Sequence, residues 1–455
     1  MRWLFGPVLM AVSAAAALPA IAAPPHPNLI VILADDLGRG DYSAFGTKDI
    51  RTPNIDRLCR EGMTFDNFYA NSCACSPSRA ALLTGCYPDR VGVPGLVRHV
   101  PDDNWGFLSP QATILPKVLK PAGYHSAIVG KWNLGLASPN TPNDRGFDYF
   151  HGFLGDMMED YWKHLRGGYN FLRLNRQVIE PVGHATDLFT DWACSYLQER
   201  AKVGGPFFLY LAYTAPHDPI QPPPDWLAKV KRREPGISET RAKIVALIEH
   251  LDFGVGQVLA TLDRLHLAEN TLVIFTSDNG GNLIFGANNG PWRSGKTHMY
   301  EGGLRVPGVA RWPAKVKPGS RTEQMALSMD IFATLCEVAA VRPPAGIDGV
   351  SFLPALLGRP PRETPPDRYF VLREGGPNFG GKTSNALIAN QWKLLQDRPF
   401  LPRELYNLRL DPQETTDLAA KEPKRFQTLD AAMRKHIQRG GQVPWQPPVP
   451  AAPAP

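Results

Sequence analysis

The chain has 455 residues, of which 43% are hydrophobic and 20% charged, with a formal net charge of +6. That length suits one large domain with a smaller companion, and the balance excludes a disordered, fibrous or membrane-embedded chain. The mild positive excess forms no lysine/arginine cluster of the kind that grips nucleic acid, so no nucleic-acid partner is expected.

Residues 1–22 read as a secretory signal. Arg2 supplies the positive start, residues 3–18 are apolar, and Ala20-Ile21-Ala22 gives a small-x-small cleavage pattern. Export is expected, to the periplasm in a bacterium and by secretion otherwise. The apolar stretch is short and broken by Pro19, no later segment is expected to be long and apolar enough to span a bilayer, and no stable membrane insertion is expected.

A large domain is expected over residues 23–360. Four apolar, β-branched runs at 28–34, 125–129, 207–213 and 272–276 read as strands buried on both faces. Amphipathic helices alternate with them. The clearest runs over 238–265, with Ile244, Leu247, Ile248, Leu251 and Val255 at helical spacing. The fold class is therefore α/β, a mixed, mostly parallel central sheet flanked by helices. A linker rich in proline and charge at 358–367 leads into a small α+β subdomain over 361–440. Short strands are expected there at 369–373 and 392–395, and a helix at 424–438. Residues 441–455 are dominated by proline and alanine and are expected to be disordered.

The six cysteines are Cys59, Cys73, Cys75, Cys86, Cys194 and Cys336. Cys73, Cys75 and Cys86 lack the paired C-x-x-C spacing of a structural zinc site. Cys73 and Cys86 are a candidate disulfide, while Cys194 and Cys336 fall in helix-like apolar patterns as buried thiols.

Each expected strand runs into residues capable of chemistry: Asp35-Asp36, Lys131, His217 and Asp278-Asn279. One aspartate after a strand is an ordinary cap or turn former, but four such ends in one chain point to a ligand site beyond the carboxyl edge of a sheet. Asp35, Asp36, Asp278 and Asn279 are all oxygen donors, which suits a hard cation: calcium, with magnesium as the alternative. Adjacent aspartates on a strand point opposite ways, so a turn at Leu37-Gly38 is expected to bring both to one ion.

The run from Cys75 to Gly85, Cys-Ser-Pro-Ser-Arg-Ala-Ala-Leu-Leu-Thr-Gly, resembles the C-x-P-S-R-x-x-x-L-T-G signature of the type I sulfatases at every fixed position. The resemblance covers roughly residues 27–420 and implies an alkaline-phosphatase-like fold. It also implies that Cys75 is oxidised to formylglycine (3-oxoalanine) by a transient maturation enzyme, and that the hydrated aldehyde is the nucleophile. It assigns Asp35, Asp36, Asp278 and Asn279 as calcium ligands, with the converted Cys75 as a further one. Arg79 matches the arginine that holds the formylglycine and the metal-site carboxylates. Lys131 lies in Gly-Lys-Trp-Asn-Leu-Gly, similar to the family's G-K-W-H-L-G. His217, in Thr-Ala-Pro-His, and Lys296, ahead of Glu301-Gly-Gly-Leu-Arg-Val-Pro, are similar to its sulfate-contacting histidine and lysine.

The chain departs from the family at Asn133, where the usual residue is a histidine implied to take the proton that releases sulfate. Asparagine bonds a hydroxyl but accepts no proton at neutral pH. Either a metal-site aspartate takes that role, the favoured reading, or turnover is slow, or the protein binds sulfate esters with weak catalysis. The substrate implied is a sulfate monoester of an aryl group or a sugar. A formylglycine-dependent phosphonate or phosphate ester hydrolase is the alternative. Residues 155–165 hold Tyr161 and Trp162 as stacking candidates against a plain core role, and His164 reads as a surface residue. Oligomeric state is not legible.

Overall fold

A computed structural model describes residues 26–100, 104, 106–360, 362–363, 365–374 and 383–441. The expected signal at 1–22 and the segment beyond 441 lie outside the described residues. Ten strands form one sheet, at whose centre five parallel neighbours lie in the order Thr271–Ser277, Asn28–Ala34, Phe207–Ala212, His125–Lys131 and Tyr149–Phe153. The four expected strands are thus contiguous, and their carboxyl ends meet at one edge. Antiparallel pairings extend the sheet through Gly308–Arg311 and then Met63–Phe65 on one side and through Leu172–Leu174 and then Gln177–Val178 on the other, and Ser320–Thr322 pairs parallel with Met63–Phe65 as the tenth strand.

Alternation explains why these runs are apolar throughout. In Asn28–Ala34, Leu29, Val31 and Leu33 face one core, while Ile30, Ile32 and Ala34 face the other. The helices Ala185–Val203 and Glu239–Arg264 cover the second face. Cys75–Thr84 and Asp330–Val338 cover the first.

The Ser238 side chain caps the long helix by accepting from the Arg241 N–H. Contrary to the sequence expectation, this later segment is long and apolar enough to cross a membrane, with a mean hydropathy of 1.3. Its apolar window is 78% buried inside the fold, so that surface is spent on the core. The same helix carries Asp252, which accepts from the Ile55 N–H at 2.7 Å and from Asn54 Nδ2 at 2.8 Å, and so caps the helix Pro53–Glu61 from outside.

Burial pushes the Asp252 carboxyl up to about 7. Unfolded, it titrates at about 4, so between these values the folded chain binds more protons and stability falls as pH rises. Asp252→Asn, neutral throughout, is expected to gain stability relative to the parent between about pH 4 and 7. Urea unfolding checks this, and parallel profiles for the two proteins would refute it.

The C-terminal part is a four-stranded antiparallel sheet in the order Arg368–Arg373, Thr383–Ala389, Trp392–Gln396 and Glu404–Asn407, with the helix Pro423–Gly440. Tyr369, Val371, Leu387 and Leu394 pack with Tyr69, Ala74, Ala81 and Leu304 in a third core. This sheet therefore sits against the helix that begins at Cys75. Cys86 carries a free thiol, so the candidate pairing with Cys73 is not made. The ten residues of Cys75–Thr84 separate the two by about 15 Å of helix, beyond disulfide reach. Cys336 is buried and Cys194 half-buried, both as free thiols.

Candidate active site

The carboxyl edge of the central strands gathers the expected residues into one buried cluster. Asp35 follows Ala34 and is fixed by its N–H bond to the Ala215 carbonyl at 3.1 Å. Asp36 adopts φ 68°, a left-handed conformation that short polar side chains tolerate. The reversal that brings both carboxylates to one site is therefore made at Asp36 itself, not at Leu37-Gly38 as the sequence suggested.

Each carboxylate has one oxygen held by a cation. Asp35 Oδ2 meets Lys131 Nζ at 2.6 Å, Asp36 Oδ2 meets Lys296 Nζ at 2.6 Å, and Asp278 Oδ2 meets Arg79 Nη2 at 2.7 Å. Arg79 Nη2 also lies 3.5 Å from Asp35 Oδ2. The second oxygens face inward: Asp35 Oδ1 accepts from Cys75 Sγ at 3.4 Å, Asp36 Oδ1 from Asn279 Nδ2 at 2.7 Å, and Asp278 Oδ1 from the Asp36 N–H at 3.2 Å. Burial would raise the Asp35 carboxyl, but Lys131, His217 and Arg79 overcome it and hold it below the usual carboxylate range. Lys296 and His217 do the same for Asp36. Asp278 is raised instead, by burial and by the charge of Asp35.

Cys75 is the first residue of its helix. Its N-cap, Ala74, has no side chain to bond the first-turn amides, so the positive end of the helix is directed at Cys75. Burial and the nearby Asp35 push the thiol well up, so an unconverted Cys75 is a neutral thiol and a poor nucleophile.

Ligand atoms of Asp35, Asp36, Cys75 and His217 all lie within 4.8 Å of one another. Asp278 stands outside that foursome, next to it through the Asp36 N–H, and His217 enters it. Asn279 Oδ1 is buried with no hydrogen-bond partner among the described residues. An orphaned oxygen beside three carboxylates fits a hard cation, which would satisfy it without a proton.

His217 Nδ1 donates to the Asp218 carbonyl at 2.7 Å, and Nε2 lies 2.8 Å from Lys296 Nζ. A carbonyl only accepts, so the proton sits on Nδ1 and the Nε2 lone pair faces Lys296. Tyr161 is buried and donates its hydroxyl to the carbonyls of Thr214 and His217, which braces this loop. Trp162 is 47% exposed and available to a ligand. His164 is buried, bonded to the Gly183 carbonyl, and not the surface residue expected.

Asn133 adopts φ 57°, and both ends of its amide are committed. Its Oδ1 accepts from Ser76 Oγ at 2.8 Å and its Nδ2 donates to the Val97 carbonyl at 2.8 Å. Ser76 Oγ in turn accepts from the Val97 N–H at 2.9 Å. Ser76 and Asp218 are the site residues that sequence reasoning missed. Both are immediate neighbours of singled-out positions, the one available signal.

The Sulfatase family profile matches residues 27–341, and that of the N-sulphoglucosamine sulphohydrolase C-terminal region matches residues 292–442. The chain is 36% identical to the N-acetylgalactosamine-6-sulfatase of Canis lupus familiaris, over 77% of this chain and 70% of that one. It is 30% identical to the steryl-sulfatase of Rattus norvegicus, over 93% and 91%. A solved structure of Ps i-CgsB in complex with k-i-k-neocarrahexaose superposes with a TM-score of 0.81 and 30% identity, covering 94% of each chain. A signature cysteine at a helix start, acids and cations at the carboxyl edge of a mostly parallel sheet, and these likenesses have one explanation: the chain belongs to the sulfatase family, as a type I sulfuric ester hydrolase of the alkaline phosphatase superfamily.

Proposed function

We propose that this enzyme is exported and removes sulfate from a sulfated saccharide, with formylglycine at position 75 and calcium beside it. The observation that carries this reading is the placement of Cys75 Sγ 3.4 Å from Asp35, at a helix start and inside a cluster that holds Lys131, Arg79 and Lys296. Names among the relatives favour a sugar ester over a simple aryl sulfate: N-acetylgalactosamine-6-sulfatase and a neocarrahexaose complex.

A sulfate ester is anionic, and so is the incoming nucleophile. Lys131, Arg79 and Lys296 offset that charge in fixed positions, so no solvent must reorganise at the moment of reaction. Formylglycine, when present, supplies a hydroxyl for attack on sulfur and a second hydroxyl whose deprotonation releases sulfate without hydrolysis of a sulfated enzyme. A calcium ion would be held by Asp35, Asp36, Asp278 and Asn279 and would supply positive charge for the sulfate oxygens. The leaving alcohol takes its proton from the His217–Lys296 pair, whose nitrogens are 2.8 Å apart. At position 75 the hydrogen-bonded carboxylate is Asp35 Oδ1, which is placed to accept the proton, while Asn133 is tied to Ser76 and Val97 and takes none.

Multiple turnovers on an aryl sulfate and on N-acetylgalactosamine 6-sulfate are expected. EDTA is expected to lower kcat by roughly 100-fold or more and to lower Tm, because three clustered carboxylates lose their counter-ion. Calcium should restore both. A single stoichiometric release of sulfate would mean a binder, and faster cleavage of phosphonate esters would mean the alternative hydrolase.

A further inference from the structure

Most of the cluster stands on strand ends, but Lys296 stands on a loop, and the C-terminal sheet grips that loop on both sides of it. Upstream, Arg293 Nη1 donates to the Tyr406 hydroxyl at 3.1 Å and to the Glu414 carbonyl at 2.7 Å. Downstream, the His298 ring and the Met299 N–H both bond the Asp397 carboxylate at 2.7 Å. Tyr300 donates its hydroxyl to Glu404 at 2.9 Å. The segment ends on Glu301, whose N–H donates to Glu414 Oε2 at 2.6 Å. Lys393 Nζ lies between the two acids, 3.0 Å from Glu301 and 2.8 Å from Glu414, with all three side chains at 0% exposure.

Removing three charges from water is costly, and a hydrophobic trio of like volume would hold two layers together as well. Ionic partners add a fixed position, which hydrophobic contact does not supply. The grip reaches the chemistry because the intervening chain has no slack. The Lys296 N–H bonds the Gly281 carbonyl at 3.1 Å, and the Thr297 N–H bonds the Cys73 carbonyl at 2.8 Å. A Cβ on Gly303 would fall 2.6 Å from the Gly295 carbonyl oxygen, and one on Gly280, next to Asn279, 1.9 Å from that of Gly302. A shift at Glu301 therefore displaces Lys296 rather than being absorbed between them.

We propose that the C-terminal subdomain is the positioning device for Lys296, with Asp397 and Glu414 as its positioning residues. They fix the ammonium against Asp36 and His217, and through that pair against the leaving oxygen. The proposal rests on the reading above that the His217–Lys296 pair protonates the leaving alcohol.

The test uses the full-length, converted enzyme and a series of aryl sulfates whose leaving phenols differ in acidity. Lys296→Met is expected to lose roughly 100-fold or more on the least acidic phenol and under about tenfold on the most acidic, the pattern of a lost proton donor. Asp397→Ala and Glu414→Gln should show the same trend with smaller size, about tenfold against about twofold. Glu414→Gln keeps the shape of the buried cluster and serves as the foldable variant if Asp397→Ala does not fold. Asp252→Asn, whose carboxylate bonds Asn54 and Ile55 rather than this loop, should show no trend whatever its Tm. If Lys296→Met shows the trend while Asp397→Ala and Glu414→Gln lose activity evenly or not at all, the positioning role is overturned. If Lys296→Met itself gives an even loss, the proton-donor reading fails, and the positioning role with it.

Discussion

Cys75→Ala is expected to lower kcat by at least about 10⁴-fold while leaving Tm within a few degrees of the parent. The two halves of this prediction have different causes. On the proposed reading, the side chain at position 75 supplies the nucleophile, and alanine supplies none. Its structural contribution is small, since the unconverted thiol makes one long hydrogen bond among the described residues, to Asp35 Oδ1 at 3.4 Å. Lys131, Arg79 and Lys296 remain to hold an anion, so substrate is still bound and KM changes little. Steady-state kinetics and thermal unfolding on the same preparation check both halves. Activity within tenfold of the parent would exclude any nucleophile made from this residue.

Asp35→Ala is expected to fail differently, in both activity and stability. Asp35 is 0% exposed and faces Lys131 at 2.6 Å and Arg79 at 3.5 Å. Removing one partner of a buried ion pair leaves the other charge uncompensated, which costs about 3–5 kcal/mol. On the proposed reading, the carboxylate bonded to position 75 and one of the four donors to the cation vanish together, so kcat should fall about 10³-fold or more. Asp35→Asn keeps the shape and separates the loss of charge from the loss of packing. Urea unfolding with kinetics on both variants is the measurement. An Asp35→Ala protein that is as stable and as active as the parent would mean that Lys131 has another counter-ion and that the site lies elsewhere.

The sequence shows the central strands because burial on both faces leaves unbroken apolar runs, and it shows the site because each run ends in residues unsuited to a core. Asp35, Lys131, His217 and Asp278 were legible for that reason. Lys296 ends no strand and was found only through the resemblance around it. The left-handed turn at Asp36 left no mark, since aspartate serves many conformations equally well. The same holds for Ser76 and Asp218, whose roles come from where the fold sets their neighbours.

In the C-terminal sheet, Thr383–Ala389 and Glu404–Asn407 went unassigned as strands. Short strands closed by tertiary pairing carry little local signal. The pairing of Cys73 with Cys86, open on sequence alone, is ruled out by distance, because a helix separates the two cysteines. The long helix Glu239–Arg264 has the composition of a membrane span, and only its packing identifies it as core.

The formylglycine reading is tested most directly by mass spectrometry of the peptide containing position 75, isolated from active enzyme of the native host. Conversion exchanges the sulfur and two hydrogens of the cysteine side chain for one oxygen, and the peptide is predicted to carry that loss and to react with aldehyde reagents. A full-activity preparation in which position 75 is entirely an unmodified thiol would contradict it.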